Sequence, residues 1–486
     1  MMNYLDKTIL EIHDALLNNK VSPLELITEA IKRAKEDDNN AFEYISEKEA
    51  LELVKELESK DKNNPLWGIP FVIKDNFATK GIPTTASSNL LNGYIPVFSS
   101  EVYLRLINAG AIPIGKTTMD ELAMGGLGIA GHKGPTFNPY DKTHTHIVGG
   151  SSCGSASACA SNIVPLAIGS DTGDSVRKPA SYSGIVGIKP TWGRISRYGL
   201  FPFAASLDHV AYFTRSVEDS ALVLSVLAGH DDKDMTSSFK AAPNYKNELK
   251  PGIKGTRVAI IKEIFDCMRD DYIKEKFLEM IHEIENKGAI VNYVSLDLKL
   301  CRAIYPTYII ISSSEATSNT ANLDGIKFGT KCDGKDYEEI VVNTRTNNIS
   351  EYIKRRLIIG SYSLLSENQE EVFLRAQKCR HLIVDAVNDI LKDNDAIILP
   401  ASPTIAPLIE KKNNGVVDDS LIAENYLALA NFAGIPSITI PLGLKDNLPF
   451  GVNITSSAFK EQKVFDIALA IEEITGLRNM SATEKE

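Results

Sequence analysis

Short apolar runs alternate with amphipathic stretches along most of this 486-residue chain, and this alternation limits the fold more than any other feature. Each apolar run has the length of a β-strand, and the stretches between the runs keep one apolar face at the period of a helix. The runs are residues 69–73, 111–114, 164–168, 258–261, 291–294 and 396–399. Because strands that alternate with helices form a sheet covered by helices, the sequence predicts an α/β protein.

The first 60 residues are predicted to form helices. Ser22 is a favourable helix cap, Pro23 suits the first helical position, and Glu25 completes a capping box. One apolar face follows, formed by Leu26, Ile27, Ala30, Ile31 and Ala34. Neither a fixed-period repeat nor a linker rich in proline and serine divides the rest of the sequence, so we expect one large domain.

The charge balance excludes several classes of partner. There are 52 Lys and Arg residues against 63 Asp and Glu residues, which leaves a net charge of −11. A surface of this sign is unsuited to bind a phosphate backbone or anionic lipid unaided, so we expect any nucleic acid to be held mainly by another subunit. No run reaches the ~18 apolar residues of a membrane span, and the N-terminal residues lack a secretion signal. We therefore expect a cytoplasmic protein whose six cysteines are reduced thiols.

Residues 110–117 match the letters of a phosphate-binding P-loop, G-x-x-x-x-G-K-[ST]. Such a loop must follow a strand, open a helix and present backbone N–H groups to phosphate. Here Gly110 follows a helical stretch, the intervening residues are apolar, and Pro113 has no N–H. The sequence favours a helix, a glycine stop and a buried strand over a nucleotide site.

Ser152 lies at the centre of a G-x-S-x-G sequence, the lettering of a nucleophile elbow. An elbow needs an apolar strand directly before it, and residues 141–149 are too polar for one, although histidines that could serve as a base lie downstream. His144 and His146 could share a face as metal ligands, but no third ligand lies nearby, so solvated loop histidines are favoured. We predict no metal site.

The residues that best support chemistry lie between 149 and 191. A buried strand leads there into a turn of glycine and hydroxyl residues that ends at Ser175. Such a turn can aim several backbone N–H groups at one point and form an oxyanion hole, although capped helix turns have similar compositions. Lys74 ends another apolar strand. It is either a surface residue whose amine reaches solvent or, in a closed site, a neutral base for a serine nucleophile.

Together these segments resemble the amidase signature family. The matching text is Lys74 after a Gly-Ile-Pro run, Gly-Gly-Ser-Ser at 149–152, and the motifs G-S-D-T-G-x-S-x-R-x-P-A at 169–180 and G-x-K-P-T at 187–191. The resemblance implies a large mixed β-sheet wrapped by helices on both faces. It also implies a single amidase domain over residues 1–486. This domain comprises N-terminal helices at 1–60, a signature core at 65–215 and a remainder at 216–486.

The resemblance further implies a Ser-cisSer-Lys triad made of Lys74, Ser151 and Ser175. In this family Lys74 would take a proton from Ser151, Ser151 would take one from Ser175, and Ser175 would attack the amide carbonyl. Backbone N–H groups of Ser175 and its three predecessors would stabilise the oxyanion. Those predecessors are Thr172, Gly173 and Asp174.

Within the family, the chain is similar to subunits that hydrolyse glutamine for a tRNA-dependent amidotransferase. This similarity implies that the ammonia converts Glu-tRNA(Gln) to Gln-tRNA(Gln), and that the partners are subunits B and C of a heterotrimer. The chain would bind no cofactor, because ATP and Mg would be used by the partner subunit, which would also hold most of the tRNA. The alternatives are a stand-alone amidase acting on small amides and a noncatalytic scaffold subunit.

By the same resemblance, glutamine would be bound by Tyr308, by Arg355 at its carboxylate and by Glu424 at its ammonium, with the Met124 carbonyl lining the pocket. Arg356 is the alternative partner of the carboxylate. Two of the positions depart from the family pattern. Glu424 is one methylene longer than the aspartate expected there. Asp174 replaces a glycine, and its carboxylate would oppose a developing oxyanion unless Arg177 or Lys178 neutralises it.

Overall fold

A computed structural model describes residues 3–409 and 419–483 of the chain. Eleven strands lie within these residues. They are β1 (Phe42–Ile45), β2 (Pro70–Lys74), β3 (Ile112–Thr117), β4 (Leu166–Asp171), β5 (Val186–Lys189), β6 (His209–Thr214), β7 (Arg257–Ile261), β8 (Ile290–Val294), β9 (Ala396–Pro400), β10 (Ser437–Lys445) and β11 (Leu448–Thr455).

Sixteen α-helices lie in the same described ranges. They are α1 (Ile9–Leu17), α2 (Pro23–Lys35), α3 (Glu47–Glu56), α4 (Glu101–Asn108), α5 (Cys153–Ala160), α6 (Arg177–Ser183), α7 (Val217–Leu227), α8 (Lys262–Asp266), α9 (Asp271–Asn286), α10 (Leu298–Asn319), α11 (Tyr337–Asn348), α12 (Glu351–Leu364), α13 (Arg375–Asp393), α14 (Ser420–Asn425), α15 (Leu429–Phe432) and α16 (Glu461–Thr475).

All eleven strands form one mixed sheet with the order β1-β3-β2-β4-β6-β5-β10-β11-β9-β7-β8. Strand β2 pairs in parallel with β3 and β4, and β7 pairs in parallel with β8 and β9. The remaining pairs are antiparallel. Every residue of β2, β3, β4, β5, β6, β9 and β11 is buried, so both faces of the sheet are covered there. The predicted mixed α/β fold is confirmed.

The predicted N-terminal capping box is present at the start of α2. The Ser22 hydroxyl accepts a hydrogen bond from the Glu25 N–H at 3.2 Å, and the Glu25 carboxylate accepts one from the Ser22 N–H at 2.8 Å. The first 60 residues are not all helical, however. Strand β1 lies between α2 and α3 and pairs with β3. Its four residues are too few to show a strand pattern, because the partner strand that stabilises them lies about 70 residues away in the sequence.

Strand β4 ends later than the sequence predicts. The apolar run at 164–168 suggests a strand that stops before Gly169, yet β4 continues to Asp171 and pairs Ser170 with Val210 and Asp171 with His209 on β6. Polar residues continue the strand because a neighbouring strand satisfies their backbone groups. As a result, Ser170 and Asp171 are held on the sheet at the point where the turn towards Ser175 begins.

The interpretation of residues 110–117 as helix, stop and strand is confirmed. Helix α4 ends at Asn108, and Lys116 lies inside the buried strand β3. Before Ser152 the described structure has an isolated β-bridge at Ile147 in place of the strand that an elbow needs.

The two loop histidines make ordinary contacts. The His146 Nδ1 atom lies 2.8 Å from Asp141, and the His144 ring stacks on Phe137. Residues 3–409 and 419–483 contain no group of three or more side chains arranged to hold a metal ion. None of the helices described has the length and apolar character needed to cross a membrane. All six cysteines are free thiols.

Candidate active site

The candidate site lies at one edge of the sheet, where two parallel strands end side by side. Strands β2 and β4 pair in parallel, so their carboxyl ends meet at the same edge. Lys74 is the last residue of β2, and Asp171 is the last residue of β4. Helix α5 begins at Cys153, directly after the two serines at 151 and 152, and packs on both strands.

Lys74 is completely buried and is surrounded by serine hydroxyls. Its Nζ atom lies 2.8 Å from the Ser151 Oγ atom, and 3.0 Å from the Oγ atoms of both Ser152 and Ser170. Burial lowers the pKa of Lys74 to about 8, although the carboxylates of Asp120 and Asp171 act in the opposite direction. At pH 7 about a tenth of this amine is therefore neutral and able to accept a proton, and the neutral fraction grows as the pH rises.

Ser151 and Ser175 are both buried, and a backbone hydrogen bond ties Ser175 to the residue that follows Ser151. The Ser152 N–H donates a hydrogen bond to the Ser175 carbonyl at 3.2 Å, and the Ser151 carbonyl accepts one from the Asp120 N–H at 3.2 Å. The peptide bond between Gly150 and Ser151 is cis, as the family resemblance implies. The structure thus brings the three predicted triad residues to one edge of the sheet.

A buried ion pair fixes the turn that leads to Ser175. Asp171 accepts hydrogen bonds from Arg177 at 2.9 Å (Nη2) and 3.1 Å (Nε), and neither side chain is exposed. Although burial opposes ionisation, the Arg177 guanidinium holds the pKa of Asp171 well below its usual range. Arg177 also donates to the Gly173 carbonyl at 2.8 Å and to Asn431 at 2.6 Å. Both ends of the turn are therefore tied to one guanidinium group.

The turn leaves backbone donors available for a ligand. Among the hydrogen bonds of the described residues, none is donated by the backbone N–H of Gly173, Asp174 or Ser175. An N–H group without an acceptor in the protein can bind a ligand, and three such groups follow one another in this turn. The Thr172 hydroxyl donates to Asp208 at 2.6 Å and holds the start of the turn. This arrangement can stabilise an oxyanion next to Ser175.

Asp174 is neutralised by a neighbour, as its position requires. Its carboxylate forms an ion pair with Lys178 one helical turn further along the chain. Arg177, the other candidate for this role, is occupied by Asp171 and does not contact Asp174 within the described structure. Lys178, and not Arg177, therefore offsets the carboxylate of Asp174.

Of the predicted glutamine-binding residues, Tyr308 lies at the site. It projects from α10 towards the turn, so closely that a Cβ atom added to Gly173 would lie 2.9 Å from the tyrosine ring. Arg355 does not reach this position, because it lies on the exposed side of α12. Its neighbour Arg356 lies 5.8 Å from the centre of the Tyr308 ring and donates to Ser312 at 3.2 Å. The structure thus places Arg356, the alternative residue, and not Arg355 against Tyr308.

The other two predicted glutamine-binding residues, Met124 and Glu424, lie in different surroundings. Met124 is buried in the loop that follows Asp120, and this loop is tied to the segment before Ser151 because the Gly150 N–H donates to the Gly126 carbonyl at 2.9 Å. Glu424 is partly exposed, and its carboxylate lies 3.3 Å from Arg269. Only the backbone carbonyl of Glu424 contacts the site directly, accepting a bond from Lys178 at 2.7 Å. The Glu424 carboxylate is therefore directed to Arg269 in this structure.

Several residues of the site were not predicted from the sequence. Ser170 contacts Lys74, Asp208 holds Thr172, and Asn431 donates to the Asp171 carbonyl at 3.0 Å. Asp120 accepts three backbone N–H bonds from residues 128–130, which shapes the loop beside Ser151. In the local sequence, only the hydroxyl-rich turn indicated a functional site. Asp208 and Asn431 gave no such indication, because they come from segments far away in the sequence.

Comparison with known proteins places this chain in a family. The family model described as Amidase matches residues 25–465. The chain belongs to the amidase family. It is 38% identical over 484 residues to the A subunit of the glutamyl-tRNA(Gln) amidotransferase of Pediococcus pentosaceus, covering 98% of both chains. It is 40% identical over 477 residues to the protein of the same name from Lactobacillus delbrueckii subsp. bulgaricus, covering 97% of both.

Solved structures show the same similarity. The crystal structure of the A subunit of glutamyl-tRNA(Gln) amidotransferase from Thermotoga maritima superimposes with a TM-score of 0.78 at 33% identity, covering 97% of this chain and 96% of that one. The crystal structure of an amidase superimposes with a TM-score of 0.81 at 27% identity, covering 97% of this chain and all of that one. The large mixed sheet is thus an amidase fold, as the sequence resemblance implied.

Proposed function

We propose that this chain is the glutamine-hydrolysing subunit of a tRNA-dependent amidotransferase that converts Glu-tRNA(Gln) to Gln-tRNA(Gln). One observation carries the proposal: a buried lysine amine lies 2.8 Å from Ser151 at a site that also contains Ser175. Near-complete coverage by relatives named as A subunits of glutamyl-tRNA(Gln) amidotransferase supports the choice of substrate. We assign the catalytic roles to Lys74, Ser151 and Ser175.

In the proposed reaction the neutral Lys74 amine accepts the Ser151 proton, and Ser151 accepts the proton of Ser175. The Ser175 oxygen bonds to the amide carbon, and the negative charge that forms on the carbonyl oxygen is held by the N–H groups of residues 173–175. The carbon–nitrogen bond then breaks, and the relay returns the proton to the departing ammonia. Water cleaves the resulting ester, releasing glutamate and restoring Ser175.

Glutamine would be oriented by the residues that lie against the turn. Arg356 offers a planar guanidinium to the α-carboxylate, a geometry that suits bidentate hydrogen bonding. Tyr308 packs between Arg356 and the turn, where it would line the side of the substrate. Met124 would contribute its carbonyl, and Glu424 would have to leave Arg269 to bind the α-ammonium.

The proposal includes partners that act on what this chain releases. Subunits B and C would complete a cytoplasmic heterotrimer, and the partner subunit would use ATP and Mg to activate the tRNA-bound glutamate. This chain would bind no cofactor of its own. Its net charge of −11 suits a protein that makes ammonia while another subunit holds the tRNA.

Replacing the nucleophile tests the assignment. In the complex with subunits B and C, we expect Ser175→Ala to reduce glutamine-dependent amidation of Glu-tRNA(Gln) by about 10³-fold or more, because the covalent intermediate cannot form. Amidation driven by added ammonium chloride should stay within twofold of the unmodified complex. As a control, Ser225→Ala changes a serine whose hydroxyl bonds within α7, and it should preserve both activities.

Equal loss of glutamine-dependent and ammonia-dependent amidation in Ser175→Ala would contradict the assigned role. If the assembled complex ignored glutamine but cleaved simple amides, a stand-alone amidase would be the correct function. If neither amide were cleaved and the assembly still formed, the chain would be a scaffold.

A further inference from the structure

The carboxylate of Asp174 presents an electrostatic problem for the proposed mechanism, and its ion pair with Lys178 bears on that problem. Asp174 carries a carboxylate in the same turn whose N–H groups would hold the oxyanion. Two negative charges so close together repel, and the repulsion is strong where water is largely excluded. Only 18% of the Asp174 side chain is exposed, so solvent screens this charge poorly. A carboxylate at this position requires a fixed counter-charge if the turn is to stabilise an anion.

Lys178 is held where it can provide that charge. Its side chain is 13% exposed, it pairs with the Asp174 carboxylate, and it donates to the Glu424 carbonyl at 2.7 Å. Although burial works against the cation, the Asp174 carboxylate raises the pKa of Lys178 above its ordinary value. The amine is therefore charged at neutral pH. Its bond to Glu424 anchors it to α14, so the ammonium cannot swing into solvent without losing both contacts.

The other charged groups nearby are already occupied. Arg177 is bound to Asp171, Gly173 and Asn431, and Arg269 is bound to the Glu424 carboxylate at 3.3 Å. Within the described residues, Lys178 is the only cation in ion-pair contact with Asp174. Neutralisation of the turn thus depends on one side chain.

We infer that Lys178 is a positioning residue that makes the Asp174-containing turn competent to stabilise the oxyanion. Its ammonium cancels the Asp174 charge and holds that carboxylate on the α14 side of the turn. Lys178 acts through Asp174 and does not need to touch the substrate. The inference rests on the proposed role of Ser175 as the nucleophile.

The test removes the charge while keeping the shape. We expect Lys178→Gln, whose amide can still donate to the Glu424 carbonyl, to lower kcat for glutamine hydrolysis by the assembled complex about 10²-fold, with KM within threefold. This magnitude is comparable to the loss of one oxyanion donor. The double variant Lys178→Gln/Asp174→Asn removes both charges, and its kcat should return to within tenfold of the starting value.

A matched control comes from α2. Arg33 is 15% exposed, pairs with Glu29 one helical turn earlier, and donates to the Asn162 carbonyl at 2.6 Å, so its setting resembles that of Lys178. Arg33→Gln should lower the melting temperature without lowering kcat. If Lys178→Gln reduced kcat and Asp174→Asn failed to rescue it, or if kcat did not change, the inference would be wrong.

A second readout does not depend on glutamine. Phenylmethanesulfonyl fluoride should label Ser175 with release of fluoride, a reaction that also places negative charge in the turn, and intact-protein mass spectrometry follows its rate. Slow labelling in Lys178→Gln with recovery in the double variant would support the inference even if the complex cleaved an amide other than glutamine. Equal labelling rates in all variants would overturn it, whatever the substrate.

Discussion

Lys74 and Lys116 are two buried lysines on neighbouring parallel strands, and they differ in what surrounds their amines. Both are nearly inaccessible to solvent, and their strands pair so that Lys116 lies beside Ile73. The Lys116 Nζ atom lies 3.1 Å from the Asp75 carboxylate and 2.8 Å from both the Phe77 carbonyl and the Thr84 hydroxyl. The Lys74 amine contacts three hydroxyls and, within the described structure, forms no ion pair.

The comparison shows that burial alone does not make a lysine a base. Burial lowers the pKa of both amines, but the Asp75 carboxylate in contact with Lys116 opposes the shift there. Lys74 has no such partner in contact, so its proton is released more easily. Lys116, in the P-loop lettering, thus has the setting of an ion-paired lysine, and Lys74, at the strand end, has the setting that the proposed base requires.

The largest effect is expected from replacing Lys74, the proposed base. Lys74→Met removes the only candidate base of the relay, so we expect kcat for glutamine hydrolysis to fall about 10³-fold or more. The melting temperature should stay the same or rise, because a buried amine without a counter-ion is replaced by an apolar side chain of similar length. Steady-state ammonia release and thermal melting measure the two effects. A pH–rate profile that Lys74→Met leaves unchanged would remove Lys74 from the mechanism.

Lys116→Met should show the opposite pattern. It leaves the Asp75 carboxylate buried without its cation, and breaking such a pair costs about 3–5 kcal/mol. We expect the free energy of unfolding from urea titration to fall by that amount, while kcat of the folded fraction changes less than tenfold. Adding Asp75→Asn should recover part of the stability. Full stability in the single variant would mean that the pair contributes little.

The pH dependence gives the smallest effect and sharpens the comparison most. Because the base must be neutral and burial lowers the pKa of Lys74 to about 8, kcat/KM should fall about tenfold per pH unit below pH 8 and level off above it. The plateau above pH 8 would be absent if Lys74 remained charged throughout the range measured. Lys116→Met should shift this apparent pKa little, since Lys116 does not contact the relay.

Local sequence was sufficient for much of the fold and for choosing the residues of the proposed triad. The strands near 69–73, 258–261 and 396–399 were predicted within one residue at each end, because buried strands are continuous apolar runs. Strand β1 and the polar end of β4 were missed, because pairing with distant strands stabilises them. Asp208 and Asn431 were missed for the same reason: they reach the turn through contacts between segments far apart in sequence.

For the predicted glutamine-binding residues, the local sequence pattern was not sufficient to place the side chains. Arg355 and Arg356 are adjacent on α12 and point about 100° apart around the helix, so only the packing of α12 against α10 decides which one faces Tyr308. Likewise, the sequence could not choose between Arg177 and Lys178 as the counter-ion of Asp174. Arg177 is bound to Asp171, and Lys178 pairs with Asp174.

By itself, the sequence determined the α/β class, because strands and helices leave local apolar patterns, and it determined the family, because the chain carries that family's motifs; the triad positions are predicted from the same motifs. The tertiary structure alone decided which arginine meets Tyr308, which cation neutralises Asp174, and that the Glu424 carboxylate pairs with Arg269. It also decided which buried lysine is paired. These outcomes depend on how elements distant in sequence pack together, and side-chain charge is settled by the neighbours that this packing brings into contact.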